Sequence, residues 1–84
     1  MDRNALLEEI RRRNRVHLPA LLAALERVRA GIRLTRFDPE TVIESLEDGN
    51  ASLAFEETDR AERALAGQVL DLCRQIHVAE VQLR

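Results

Sequence analysis

Residues 61–84, AERALAGQVLDLCRQIHVAEVQLR, carry the longest helical pattern in this chain of 84 residues. The apolar members of the pattern follow one another at spacings of three or four: Ala61, Leu65, Val69, Leu72, Ile76, Ala79 and Leu83. These spacings place all seven side chains on one side of an α-helix, where they form an apolar stripe that needs a partner surface. We call these residues the C-terminal stripe, and they predict a long C-terminal helix that organises the rest of the chain.

Shorter helical segments are predicted upstream of that helix. A first segment begins at Ala5, and its apolar pattern ends in the arginine cluster at residues 11–15. Pro19 then forces a break or kink, because proline lacks an amide hydrogen and clashes with the preceding turn, unless it lies in the first turn of a new helix. A second runs from about Leu18 to Ala30, and a short third from Pro39 to Glu47, both with apolar residues at helical spacing.

Capping residues mark the ends of these segments. Asp2 and Asn4 are both usable N-caps for the first helix, and Gly31 is a stop for the second. The triplet Asp38-Pro39-Glu40 is the clearest helix start, and Asp48-Gly49-Asn50 is expected to end the same helix. Ser52 is then expected to cap the last helix.

Packing follows from the same patterns. In the short third helix, the predicted buried residues are Val42, Ile43 and Leu46. Gly67, with several alanines nearby, is predicted to allow a neighbouring helix to approach closely.

The predicted fold class is therefore all-α. We expect one domain over residues 1–84, as a helical bundle or a helical hairpin of three to four helices with a long C-terminal helix. A core of this size is marginal once about 1.5 kcal/mol of conformational entropy per ordered residue is set against burial, so completion by oligomerisation is also predicted.

Charge is divided unevenly along the chain. Met1–Arg36 carries nine arginines against four acids, and Phe37–Arg84 carries four arginines against eleven acids. The basic half contains one cluster that could lie along a nucleic-acid backbone or an acidic partner: Arg11, Arg12, Arg13 and Arg15. Contact of this cluster with the acidic half of a second molecule is another interpretation.

One pair of metal-binding residue types has suitable helical spacing. Cys73 and His77 stand four apart, so both side chains could face one ion, but a site needs three or four ligands and the sequence supplies no complete set. We therefore predict no metal site and no cofactor, with Cys73 as a buried apolar residue. No phosphate-binding loop or nucleophile–base pattern is evident, so we predict no catalysis by the chain alone, which fits a non-catalytic subunit.

The amino-acid composition restricts the predicted ligands and the predicted cellular location. With two Phe and neither Trp nor Tyr, the chain lacks aromatic platforms for stacking bases. One cysteine cannot form an intramolecular disulfide, and neither a secretion leader nor an apolar run near 18 residues is present. These features predict a cytoplasmic protein without membrane contact.

One resemblance rests on residues 41–49, TVIESLEDG, followed by Ser52-Leu53, Cys73 and Ala79-Glu80. This pattern resembles the helix–Leu-Glu-x-Gly–helix hairpin of the exonuclease VII small subunit over about half the chain. The resemblance implies a helical hairpin that turns near Gly49. We take it as similarity between hairpins and carry no activity over.

The hypothesis that follows is a helical interaction module: a subunit, adaptor or chaperone whose apolar stripe is completed by a second copy or by a larger protein. The alternative is a dimeric regulator that binds nucleic acid through the arginine cluster. Its affinity would fall steeply with salt.

Overall fold

Three helices pack together in a computed structural model that describes residues 2–32 and 38–82. They are α1 (Arg3–Arg29), α2 (Asp38–Ala54) and α3 (Arg60–Gln82), and each one contacts both others. The 27-residue α1 runs along the long dimension of a bundle that measures 42 × 22 × 16 Å. The prediction of an all-α bundle is confirmed, although the longest described helix is the N-terminal one.

Helix α1 continues through Pro19, so the predicted break there and the separate helix from Leu18 are wrong. The buried residues of α1 keep spacings of three and four across the proline: Leu7, Ile10, Asn14, His17, Leu21, Ala24 and Val28. Both halves of the helix therefore bury the same face. This shared packing outweighs the cost of an internal proline, which is about 3 kcal/mol.

Both ends of α1 carry the signals that the sequence predicted. The Asp2 carboxylate accepts a hydrogen bond from the Ala5 amide, with a nitrogen–oxygen distance of 2.7 Å. At the other end Gly31 adopts a φ of 82°, and the Ile32 amide donates to the Arg27 carbonyl at 2.9 Å. Glycine reaches this left-handed conformation without strain, which explains the stop after Arg29. Of the two predicted caps the structure uses Asp2, and the predicted stop at Gly31 is confirmed.

Helix α2 begins at Asp38, one residue before the predicted start at Pro39, and continues to Ala54, so the predicted end at Asp48-Gly49-Asn50 is wrong. The hairpin turn near Gly49 that the exonuclease VII resemblance implied is wrong for the same reason. Tertiary contacts account for these residue types inside a helix. Asp48 is bonded to α1, and Gly49 lies against Leu70 of α3.

The close approach of two helices occurs at Gly49 and not at Gly67. A Cβ atom built on Gly49 would stand 2.9 Å from both Cγ and Cδ2 of Leu70, whereas one built on Gly67 would meet no atom within 4 Å. The absence of a side chain at Gly49 therefore lets α2 lie close to α3. The prediction for Gly67 is wrong.

Helix α3 begins at Arg60 and is capped by Asp59, so the predicted cap at Ser52 is wrong. The Glu62 amide donates to the Asp59 carboxylate at 2.8 Å, and the Glu62 carboxylate accepts from the Asp59 amide at 3.4 Å. This reciprocal pair is a capping box. Arg63 supports the turn before it by donating to the carbonyls of Leu53, Phe55 and Thr58.

The cap gives a first prediction. Replacing Asp59 with alanine should lower the melting temperature, and Asp59→Asn should lower it less because the asparagine oxygen still accepts the Glu62 amide. That hydrogen bond lowers the pKa of the Asp59 carboxyl. The cap therefore stabilises the folded state fully at pH values above the ordinary pKa of an aspartate carboxyl. This stabilisation is lost as the pH falls through the lowered pKa of Asp59.

Thermal unfolding of wild type and both variants at neutral and strongly acidic pH measures this effect, with the exposed Glu56→Ala as control. An Asp59→Ala deficit that stays the same at both pH values would contradict a carboxylate cap.

The core lies between α1 and α3. Val69, Leu72 and Ile76 of the C-terminal stripe are buried against Leu21 and Leu25 of α1. Of the remaining stripe residues, Leu65 and Ala79 are half-buried and Ala61 is exposed, while Leu83 lies outside the described residues. The stripe therefore has a partner surface in the same chain, namely α1. Among the described helices, none is both long enough and apolar enough to cross a membrane.

Candidate interaction surface

Helix α2 is turned so that polar residues face the bundle and apolar residues face outward. Its buried positions are Ser45, Asp48, Gly49 and Ser52. Its large aliphatic side chains at Ile43, Leu46 and Leu53 are 55%, 39% and 38% exposed. The prediction that Ile43 and Leu46 are buried is wrong, and Val42 is half-buried.

The exposed aliphatic residues of α2 lie on one side of the helix, in a row that Asn50 interrupts. Positions 43, 46, 50 and 53 are spaced by three, four and three, so they lie along one side of the helix. We call Ile43, Leu46 and Leu53 the apolar row; Asn50 occupies the fourth place in the line. Other exposed aliphatic side chains in residues 2–32 and 38–82 are spread over α1, the residue after Gly31, and α3: Leu6, Val16, Leu22, Ile32, Val78 and Val81.

Side chains of α1 explain why the polar face of α2 is turned inward. Asn14 donates to the Ser52 hydroxyl with a nitrogen–oxygen distance of 2.7 Å. His17 Nε2 lies 2.7 Å from one carboxylate oxygen of Asp48, and an Arg13 guanidinium nitrogen lies 3.2 Å from the other. Buried polar groups are costly unless they are bonded, so these pairs favour one rotation of α2 about its axis. We call Asn14, His17, Asp48 and Ser52 the polar interface.

Further hydrogen bonds surround the polar interface. The Thr58 hydroxyl donates to the Ser52 carbonyl, and the Ser45 hydroxyl donates to the Thr41 carbonyl, both at 2.6 Å.

The amide oxygen of Asn14 is buried without a hydrogen-bond partner in the described parts of the chain. A cavity of about 170 Å³ adjoins Asn14 and is lined in part by Arg11 and Arg15.

The four arginines of the predicted basic cluster do not form a free basic surface. Arg11 lies 3.0 Å from Glu8 and 2.6 Å from Glu62, and Arg12 pairs with Glu9. The hydrogen bond with Arg12 lowers the pKa of the Glu9 carboxyl. Arg13 pairs with Asp48, and Arg15 is exposed.

The basic and acidic halves of the chain meet within one molecule. Arg3 lies 2.9 Å from Glu57, and its guanidinium carbon stands 4.9 Å from the centre of the Phe55 ring. Together with the Arg11–Glu62 pair, this contact joins the start of α1 to the α2–α3 turn and to the start of α3. Pairing with a second molecule is therefore not needed to balance the two halves of the sequence.

Cys73 and His77 lie in different environments, because Cys73 is buried and His77 is exposed. The Cys73 thiol donates weakly to the Val42 carbonyl, with a sulfur–oxygen distance of 3.8 Å. Burial raises the pKa of this thiol, which lowers its thiolate fraction. Across residues 2–32 and 38–82, no group of three or more His, Cys, Asp or Glu side chains is placed to hold a metal ion.

The residues that sequence reasoning missed share a recognisable signal. Asn14 and His17 continue the three-and-four spacing from Leu7 to Val28 and occupy core positions, although both are polar. Ser45, Asp48 and Ser52 have the same spacing on α2. Because these positions are polar, a search for apolar periodicity passes over them, and their bonds to another helix are what identify them as buried.

Comparison with known proteins adds no relationship: no protein-family model, curated protein or solved structure matches this chain.

Proposed function

We propose that this protein is a small helical interaction module that binds another protein through the apolar row of α2. The observation that carries the proposal is the orientation of α2. Its polar face is bonded to α1, while Ile43, Leu46 and Leu53 remain exposed. Exposed large aliphatic side chains grouped on one side of a helix are a feature of protein-binding surfaces.

The spacing of the row fits a known mode of recognition. Residues 43, 46, 50 and 53 stand at the i, i+3, i+7 and i+10 positions that one helix uses when it packs along another. Full burial of one large aliphatic side chain contributes about 1.5–3 kcal/mol. Each member of the row is already partly buried, so covering its exposed part would contribute roughly half of that free energy. Three such anchors would support a modest affinity, which suits a subunit or adaptor that binds reversibly.

This proposal moves the interaction surface from α3 to α2. The C-terminal stripe suggested self-association because it needed a partner, but α1 covers its central residues Val69, Leu72 and Ile76. Self-association would therefore have to use another surface. Light scattering behind a sizing column, over a wide concentration range, distinguishes a monomer that awaits another protein from a dimer formed through the apolar row.

A neutral model peptide tests the surface directly. The probe is a helical peptide with leucines on one face and glutamines elsewhere, labelled for fluorescence anisotropy. Wild type should bind it weakly, with a Kd of about 0.1–1 mM. Leu46→Glu should weaken binding at least about tenfold, because it places a charge in the middle of the row.

The matched control is Val16→Glu, which makes the same charge change at an exposed aliphatic residue of α1. It should bind the peptide as wild type does. The proposal fails if the neutral peptide does not bind, or if Leu46→Glu and Val16→Glu weaken it equally.

Nucleic-acid binding through Arg11, Arg12, Arg13 and Arg15 stays a prediction. Ion pairs within the chain engage three of these four side chains, so their use on a phosphate backbone would require exchange of partners. The expectations of no catalysis, no cofactor and a cytoplasmic setting stay predictions as well.

A further inference from the structure

The charges of α2 all have one sign. Its ionisable residues are Asp38, Glu40, Glu44, Glu47 and Asp48, and it contains no lysine, arginine or histidine. Asp48 is bonded to His17 and Arg13 at the polar interface. Glu40, Glu44 and Glu47 are exposed and form no ion pair in residues 2–32 and 38–82, although Glu44 and Glu47 line a surface cavity with Arg13, which is paired with Asp48. These three carboxylates are available to a binding partner.

The three exposed acids form a second row beside the apolar one. Positions 40, 44 and 47 are spaced by four and three, so they also follow one line along the helix. Glu40 precedes Ile43 by three residues, and Glu47 follows Ile43 by four, so both acids neighbour this apolar residue on the helix surface. A helix packed on the apolar row would therefore have one flank close to three carboxylates.

We infer that the segment that packs on the apolar row is an amphipathic helix of another protein with lysine or arginine along one flank. The inference rests on the proposed function and adds the chemistry of the partner. Opposite charges beside an apolar contact increase the association rate and exclude wrong partners. The basic flank faces Glu40, Glu44 and Glu47, while the apolar face covers Ile43, Leu46 and Leu53.

A second copy of this chain fits the surface poorly. A two-fold contact would place the same patch on both molecules. Six carboxylates would then enter one interface, against two copies of Arg13, which lines a surface cavity with Glu44 and Glu47 and is already paired with Asp48. Like charges brought together in this way oppose association. Charge complementarity therefore selects a basic partner helix over self-pairing through α2.

Three model peptides test the charge preference separately from the apolar contact. They share one leucine face and carry lysine, glutamine or glutamate on the flanks. We expect the lysine peptide to bind wild type about tenfold more tightly than the glutamine peptide at about 50 mM salt, and the glutamate peptide to bind least. The preference for lysine should shrink as salt is added, because these charges are exposed.

A charge reversal locates the effect on α2. Glu47→Lys should reduce the preference for the lysine peptide at least about threefold and should strengthen the glutamate peptide. The control is Glu26→Lys, the same charge change at an exposed position of α1, which should leave the preference unchanged. Thermal melts of both variants establish that the fold is retained.

The outcomes separate the inference from the proposed function. If the lysine and glutamine peptides bind equally and Leu46→Glu weakens both, the interaction surface stands and the basic partner is overturned. Equal loss of preference in Glu47→Lys and Glu26→Lys also overturns it, because only the net charge would then matter. If none of the three peptides binds, the proposed function and the inference both fail.

Discussion

Replacing Val69 with aspartate should leave the chain largely unfolded at neutral pH. Val69 is completely buried in the cluster where α3 meets Leu21 and Leu25 of α1. A carboxylate at this position would have no partner, and the loss should exceed about 4 kcal/mol, which is most of the stability of a small domain. Far-UV circular dichroism and urea unfolding measure the result.

The same substitution at a second valine of α3 is the control. Val78 is about half exposed, so Val78→Asp should change the free energy of unfolding by no more than about 1 kcal/mol. Both variants introduce one acid into one helix and differ mainly in burial. Equal urea midpoints for the two would mean that α3 does not bury Val69 against α1.

The second large effect is expected at Asp48. Removing its carboxylate by Asp48→Ala leaves His17 buried without its partner and takes away the contact of Arg13. Leaving a buried hydrogen-bonding group without its partner costs about 1–3 kcal/mol. Urea unfolding of this variant should show a large decrease in midpoint, whereas the exposed neighbour Glu47→Ala should stay close to wild type.

A double variant distinguishes pairing from packing at the same place. In His17→Leu with Asp48→Leu neither member of the hydrogen-bonded pair remains to be left unpaired, and Arg13, which loses its ion pair, is 40% exposed to water, so much of the lost stability should return. If the double variant is less stable than Asp48→Ala alone, side-chain packing at this site determines the stability, and the hydrogen bond contributes little to the free energy of unfolding. Recovery identifies the bond between α1 and α2 as the source of the effect.

Apolar periodicity predicted the part of the fold that is held together by apolar contacts. The central residues of the C-terminal stripe, Val69, Leu72 and Ile76, are buried as their spacing indicated. The Asp2 cap, the Gly31 stop and the start of α2 at Asp38 also follow from local chemistry, since each depends on backbone groups within a few residues. These features could be predicted because their causes lie within single segments.

The predictions of helix ends are wrong where contacts between distant residues outweigh the local signals that usually end a helix. Asp48, Gly49 and Asn50 form a typical helix end, yet the Asp48–His17 bond and the space that Gly49 leaves for Leu70 place them inside α2. Pro19 is a typical helix breaker, yet burial on both sides of it keeps α1 continuous. In each case the deciding partner is at least 21 residues away or on another helix, and no local pattern contains that information.

The sequence by itself determined that the chain is helical and that α3 has one apolar side. It also determined that the N-terminal half of the chain is basic and the C-terminal half acidic. Only the tertiary structure decided how α2 is rotated. Hydrogen bonds from Asn14 and His17 turn its polar face inward, because buried polar groups must be paired. That rotation leaves the apolar row and the three acids exposed, and so it creates the candidate interaction surface.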